Sequence, residues 1–130
     1  MNVEYLLDAS ALYGLVAHYH RWIGHRKKLA ILHLTVYEVG NALWKEARAV
    51  RLPWREAAGV LSRVLSSLKV LDDPPLGKVL EVAVERDLTF YGASYAYVAE
   101  TLGLSLVTQD RELLRKSPAS VDVDTFLARL

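Results

Sequence analysis

The sequence predicts an α/β protein, a three-layer α/β/α sandwich on a central parallel sheet of four to five strands. Two observations predict the layers. Short apolar runs such as VEYLLDA and LSLVT alternate with longer segments of helical periodicity, and strands alternating with helices imply parallel crossover units. Those runs are bounded by turn signals and are short enough to be buried strands. A third observation bounds the size. The chain has 130 residues, is 52% hydrophobic and carries a net charge of +1, which suits one domain over residues 1–130 with a full core. No internal repeat, low-complexity tract or linker interrupts it.

The elements follow in order. Val3–Ala9 is an apolar run ending in an acid and reads as the first strand. Ser10–Tyr19 is expected to be a helix with Leu12, Leu15, Val16 and Tyr19 on one stripe. His20–Lys28 (HRWIGHRKK) is basic, with a break at Gly24, and Leu29–Leu34 is the second strand. Thr35 then opens a helix to about Val50, with Val36, Val39, Leu43 and Ala47 inward; Thr35 as cap and Glu38 at N3 make a capping box. Pro53 suits the first turn of the next helix, whose core face carries Ala57, Val60, Leu61, Val64 and Leu68. Lys69–Asp73 is a short strand closed by an Asp-Pro-Pro turn. Helices over Leu76–Arg86 and Thr89–Leu102 follow, the second capped by Thr89 and stopped by Gly103. Leu104–Thr108 is a strand, Arg111–Lys116 a short helix, Val121–Val123 a last strand and Thr125–Leu130 a terminal helical turn.

Composition narrows the function. There is no cysteine, hence no disulfide and no thiolate metal site. Balanced charge gives no global basic field, so any nucleic acid is held by a local patch. The first residues form no leader and no run of 18 apolar residues occurs, so a cytoplasmic protein without a membrane partner is expected. Amide side chains are confined to Asn2, Asn41 and Gln109, a thermophilic bias. Dinucleotide, P-loop and nucleophile-elbow motifs are missing, and the four histidines match no zinc spacing.

Ligands of parallel sheets bind outside the carboxyl ends of the strands. That rule selects Asp8 after the first strand, Glu38 just past the second and Asp110 after the fourth. Each has a local role as well: Asp8 and Asp110 can cap the helices that follow, and Glu38 can complete the capping box. Gathered at one rim, however, carboxylates repel each other unless a bound cation or a lysine or arginine neutralises them. An oxygen-only set favours Mg²⁺ or Mn²⁺, ions that suit chemistry at phosphoryl oxygens.

The stretches LLDASALYGLVA, LTVYEVGNALWK and LTFYGASYAYVAETLGLSLVTQDREL, in this order over nearly the whole chain, resemble PIN-domain proteins, in particular the VapC toxins of VapBC toxin–antitoxin pairs. The resemblance implies a homodimer with Mg²⁺- or Mn²⁺-dependent endoribonuclease activity, acting on RNA and blocked by a VapB-type antitoxin. It assigns the family's first and second acids to Asp8 and Glu38 and the acid of its T-x-D element to Asp110. Ser10 and Thr108 match hydroxyl residues near the metal. The family's third acid stands in a Y-D-A-x-Y context, which here reads Tyr91-Gly92-Ala93-Ser94-Tyr95. The internal echo of Thr35-Val-Tyr-Glu38 in Thr89-Phe-Tyr-Gly92 supports that alignment. Losing one carboxylate is expected to weaken a second ion most, giving reduced or metal-hungry activity.

Candidates for the RNA backbone are Arg26 and Lys27 in the basic segment, with Arg21, His25 and Lys28 beside them and Trp22 as a stacking platform, and Lys45 and Arg48 near the rim. Two competing classes stand beside the nuclease. One is a catalytically impaired PIN fold that binds RNA or antitoxin, using Trp44, Trp54 and the Val60–Leu68 stripe. The other is a receiver-like domain, for which Asp72 or Asp73 could serve as phosphoacceptor but no suitable lysine is found.

Overall fold

The computed structural model describes residues 2–50 and 53–130. Five short strands, β1 (Tyr5–Leu7), β2 (Leu29–Leu32), β3 (Lys69–Leu71), β4 (Ser105–Val107) and β5 (Ser120–Val121), run parallel in the order β3-β2-β1-β4-β5. The helices between them are α1 (Ala9–Val16), α2 (Tyr19–Trp22), α3 (His33–Val50), α4 (Trp54–Ser66), α5 (Leu76–Arg86), α6 (Phe90–Leu102), α7 (Arg111–Lys116) and α8 (Val123–Ala128). The chain winds outward from β1 to β3, then returns to the other side of β1 for β4. The order therefore reverses at the β1–β4 boundary, the place where such sheets open a crevice.

Strand residues alternate between the two faces, and that alternation builds the layers. Leu7, Ile31 and Val107 pack on one side with Leu12, Leu15, Trp22, Val64 and Phe126. Leu6, Ala30 and Leu106 pack on the other with Tyr95, Ala96, Ala99 and Leu113. The result is the predicted sandwich, with α1, α3, α4 and α8 contributing to one face and α6 and α7 to the other.

Several expectations are corrected. The Ser10–Tyr19 helix stops at Val16, and the separate turn α2 leaves Tyr19 exposed. That break lets Trp22 turn fully inward, where its indole Nε1–H donates to the Leu15 carbonyl at 2.7 Å. Trp22 is therefore core rather than a stacking platform. Helix α3 starts at His33, two residues before the predicted Thr35, and Val36 and Val60 face solvent instead of the core. The last strand starts one residue and ends two residues earlier than predicted, because Asp122 leaves the sheet to cap α8 through the Thr125 amide at 2.7 Å. Helix α6 begins and ends as read, between the Thr89 cap and Gly103 at φ 69°. No helix among the described residues is long and apolar enough to cross a membrane.

Candidate functional site

Asp8 follows β1 directly and Asp110 follows β4, so both sit at the carboxyl ends of the two central strands. Glu38 reaches the same place from the second turn of α3. The first turn of α6 (Thr89, Tyr91, Gly92) completes the wall. Together they line a cavity of about 150 Å³.

Local structure and site use the same atoms. Asp8 caps α1, its Oδ1 accepting the Ala11 amide at 2.9 Å, and Asp110 caps α7, its Oδ1 accepting the amides of Glu112 and Leu113 at 2.8 and 3.0 Å. The predicted capping box does not form. With Leu32 at the cap position, Thr35 is at N3, and its Oγ1 reaches back to accept the Leu32 amide at 3.0 Å. Glu38 is thereby moved a turn inward, free of any capping duty.

Three relays of one design hold the acids. The Gln109 amide donates to Ser10 Oγ (2.9 Å), and Ser10 donates to Asp8 Oδ1 (2.7 Å). The Asp110 amide donates to Thr108 Oγ1 (3.0 Å), and Thr108 donates to Asp8 Oδ2. The Leu32 amide donates to Thr35, whose hydroxyl lies 2.8 Å from the Tyr95 hydroxyl, and Tyr95 donates to Glu38 Oε1 at 2.7 Å. Because Tyr95 gives its only proton to Glu38, the Thr35 proton points to Tyr95. In the first two relays a backbone N–H orients a hydroxyl that orients a carboxylate, and in the third a second hydroxyl, that of Tyr95, stands between them.

Hydroxyls do not balance the charge. Burial pushes the Asp8 carboxyl above its ordinary value, against the lowering by Thr108, Ser10 and Ala11, and the charge of Asp110 adds to the rise. Glu38 is raised in the same way, by burial first and then by Asp8 and Asp110, with Tyr95 opposing. Among the described residues, no lysine or arginine lines the cavity. The donor set is thus all oxygen and short of positive charge, which fits a hard divalent cation in kind. Among the described residues, no group of three or more His, Cys, Asp or Glu side chains is arranged to hold a metal ion in advance.

Comparison with known proteins shows the family. No protein-family model matches the chain. It is 69% identical over 130 residues to Exonuclease VapC9 of Pyrobaculum aerophilum, covering 100% of this chain and 98% of that one. It is 33% identical over 129 residues to Ribonuclease VapC3 of the same organism, covering 92% and 98%. The chain belongs to the VapC family. A crystal structure of a P. aerophilum protein, 69% identical, superposes with a TM-score of 0.95 over 98% of this chain and 96% of that one. The VapBC complex of Salmonella typhimurium bound to DNA, 18% identical, matches in fold with a TM-score of 0.71 over 93% of this chain and 98% of that one.

In this VapC-family chain Gly92 occupies N3 of α6, its amide donating to Thr89 Oγ1 at 3.0 Å. Its backbone is ordinary helix, so no positive φ calls for glycine there. A Cβ would meet Thr89 Oγ1 at 3.4 Å and Leu113 Cδ2 at 3.6 Å, ordinary contacts. A Cβ at this position is accommodated and borders the acid cavity.

The basic candidates separate. Arg26 and Lys27 precede β2 and so stand at the amino end of the sheet, across the molecule from the acids. Lys45 lines a groove that adjoins the acid cavity. Arg48 stacks its guanidinium 4.8 Å above the Trp44 ring, and Trp44 with Trp54 lines a separate apolar hollow of about 300 Å³. Leu61, Val64 and Leu68 are buried in the core, as their place on the core face of that helix predicts, and so are closed to a partner. Tyr95 and Thr35 were missed as carriers of Glu38, since Tyr95 looked like one more apolar repeat on α6. The available signal was chemical: a tyrosine buried deep in a helix needs a partner for its hydroxyl.

Proposed function

We propose that this chain is a divalent-metal-dependent ribonuclease and the toxin of a toxin–antitoxin pair. The observation that carries the reading is the set of Asp8, Glu38 and Asp110 around one cavity that no lysine or arginine among the described residues lines. The names of two relatives, an exonuclease and a ribonuclease, support nucleic-acid hydrolysis. Our reading is internal cleavage, and an RNA blocked at both ends separates it from trimming.

Asp8, Glu38 and Asp110 are the residues that would hold Mg²⁺ or Mn²⁺. Such an ion supplies an activated water and neutralises charge on the phosphate. In the hydrolysis a water oxygen bonds to phosphorus, the bond from phosphorus to one ribose oxygen breaks, and that oxygen takes up a proton. Ser10, Thr108 and Tyr95 keep the carboxylates from turning away when the cavity is empty of ligand. Lys45 is the basic side chain placed to meet RNA near the acids. A VapB-type antitoxin is the proposed partner, covering the cavity. A homodimer is supported by Leu76, Leu80 and Val84, exposed at i, i+4 and i+8 on α5.

The test is cleavage of a defined, end-blocked RNA with Mg²⁺ or Mn²⁺, comparing wild type, Asp8→Asn and Gly92→Asp. Divalent-dependent cleavage that Asp8→Asn abolishes and Gly92→Asp strengthens is the expected outcome. The second reading, an impaired fold that only binds RNA or antitoxin, is favoured by Gly92 and by the lack of a prearranged ligand group. It takes precedence if none of the three proteins cuts at any divalent concentration while a co-encoded small partner still binds.

A further inference from the structure

A second, larger hollow of about 930 Å³ opens directly from the acid cavity, sharing Ala9, Ser10, Glu38 and Tyr91 with it. Along its α3 wall, Tyr37, Asn41 and Lys45 follow one another at i, i+4 and i+8, hence on one face over about 12 Å. From α6, Tyr91 lines the same groove. Packing does not explain these two rings. Tyr37 is 76% exposed and Tyr91 58% exposed, and neither belongs to a core cluster. Tyr13 also lines this groove, and its hydroxyl is buried with no hydrogen-bond partner among the described residues.

We infer that this groove seats the unpaired bases beside the scissile phosphate of a single-stranded RNA. The inference rests on the nuclease reading for the position of that phosphate. Tyr37 and Tyr91 offer flat faces on which bases stack, a contact that tolerates any sequence because every base has a π-face. Asn41 presents both a donor and an acceptor, the pair needed to meet a base edge. Lys45, one turn further from the acids, meets a backbone phosphate. Duplex RNA is excluded by the same chemistry, because its base faces are already stacked and only splayed bases reach aromatic side chains.

The experiment measures binding of a fluorescent single-stranded RNA in EDTA, where no divalent ion is present to support hydrolysis, alongside cleavage of the same RNA in Mg²⁺. Wild type, Tyr37→Ala, Tyr91→Ala, Tyr37→Phe, Tyr91→Phe and Asn41→Ala are compared, with a hairpin duplex as competitor. Each alanine variant is expected to bind roughly five- to 150-fold more weakly, with KM rising and kcat nearly unchanged. The phenylalanine variants retain wild-type binding, since stacking needs the ring and not the hydroxyl. Asn41→Ala alters the preference among homopolymers. The surface position of both rings keeps every variant folded, and melting curves verify it.

Unchanged binding in both alanine variants, or a duplex that competes as well as a single strand, overturns the inference. If the alanine variants instead lose only the co-encoded antitoxin, the groove belongs to that protein and the inference fails. Failure of the nuclease reading looks different: no protein cleaves, yet the alanine variants still lose the single strand.

Discussion

Helix α6 serves two acidic sites of opposite character. Near its C-terminal end, Glu100 forms a bidentate pair with Arg86 at 2.7 and 2.8 Å and accepts the Ser117 hydroxyl at 2.7 Å. Near its N-terminal end, Tyr95 donates to Glu38, which shares a cavity with Asp8 and Asp110. The Arg86 bond, helped by Ser117, holds the Glu100 carboxyl below its ordinary value. Burial holds Asp8 and Glu38 above theirs. Both groups are well supplied with hydrogen bonds, so bonding alone does not distinguish them. The distinction is a cation: one site contains its own, and the other has none among the described residues. Carboxylates kept together without compensation cost stability, and such a cost is characteristic of functional sites.

The contrast breaks most visibly when one acid is neutralised at each site. Asp8→Asn is expected to lower RNA cleavage on the order of 100-fold or more, yet to raise the melting temperature in the presence of a chelator. Glu100→Gln should do the reverse. It leaves Arg86 without its carboxylate and should cost about 1–3 kcal/mol in denaturant unfolding, with cleavage unchanged. If both variants shift stability in the same direction, the distinction drawn here is wrong.

Acid titration sharpens it further. Glu100 has a folded pKa below its unfolded value, so its stabilisation is present above the unfolded value and is lost as pH falls through the folded one. Asp8 and Glu38 have folded values above their unfolded ones. Their cost is therefore present at neutral pH and is relieved as pH falls through the folded values. Stability measured from pH 7 down to pH 2 should decline less steeply at the acid end in Glu100→Gln than in wild type. Mg²⁺ or Mn²⁺ should raise the melting temperature at pH 7, and that increment should fade as the rim acids take up protons.

The smallest effect is expected at Gly92. Gly92→Asp relieves a helix glycine and places an acid at N3, gains of a few tenths to about 1 kcal/mol. Repulsion from Asp8, Glu38 and Asp110 opposes them when no ion is bound. Melting should therefore move little in a chelator and clearly upward when divalent ions are added. An equal shift in both conditions would place the new carboxylate outside the reach of the cavity.

Much of this was legible before any coordinates. The apolar runs and helical stripes marked every strand and most helices, because periodicity records which face of an element is buried. Asp8 and Asp110 could be placed at one rim because a parallel sheet puts the ends of its strands together. Glu38 was legible in position but not in role: the Thr35-x-x-Glu38 pattern reads as a capping box, and only a helix start at His33 shows Thr35 at N3 instead. The repeat of that pattern at Thr89 is a likeness of letters set in two different registers.

By itself, then, the sequence determined the alternating architecture, the three acids at the carboxyl ends and the glycine at the third turn-wall position. Tertiary structure alone decided who holds them. Tyr95 reaches Glu38 across 57 residues and Thr108 reaches Asp8 across 100. It also sent Arg26 and Lys27 to the far end of the sheet and aligned Tyr37, Asn41 and Lys45 beside the acids. The reason is physical. Local periodicity specifies that a side chain turns inward or outward, but the partner it meets there is chosen by the packing of elements distant in the chain.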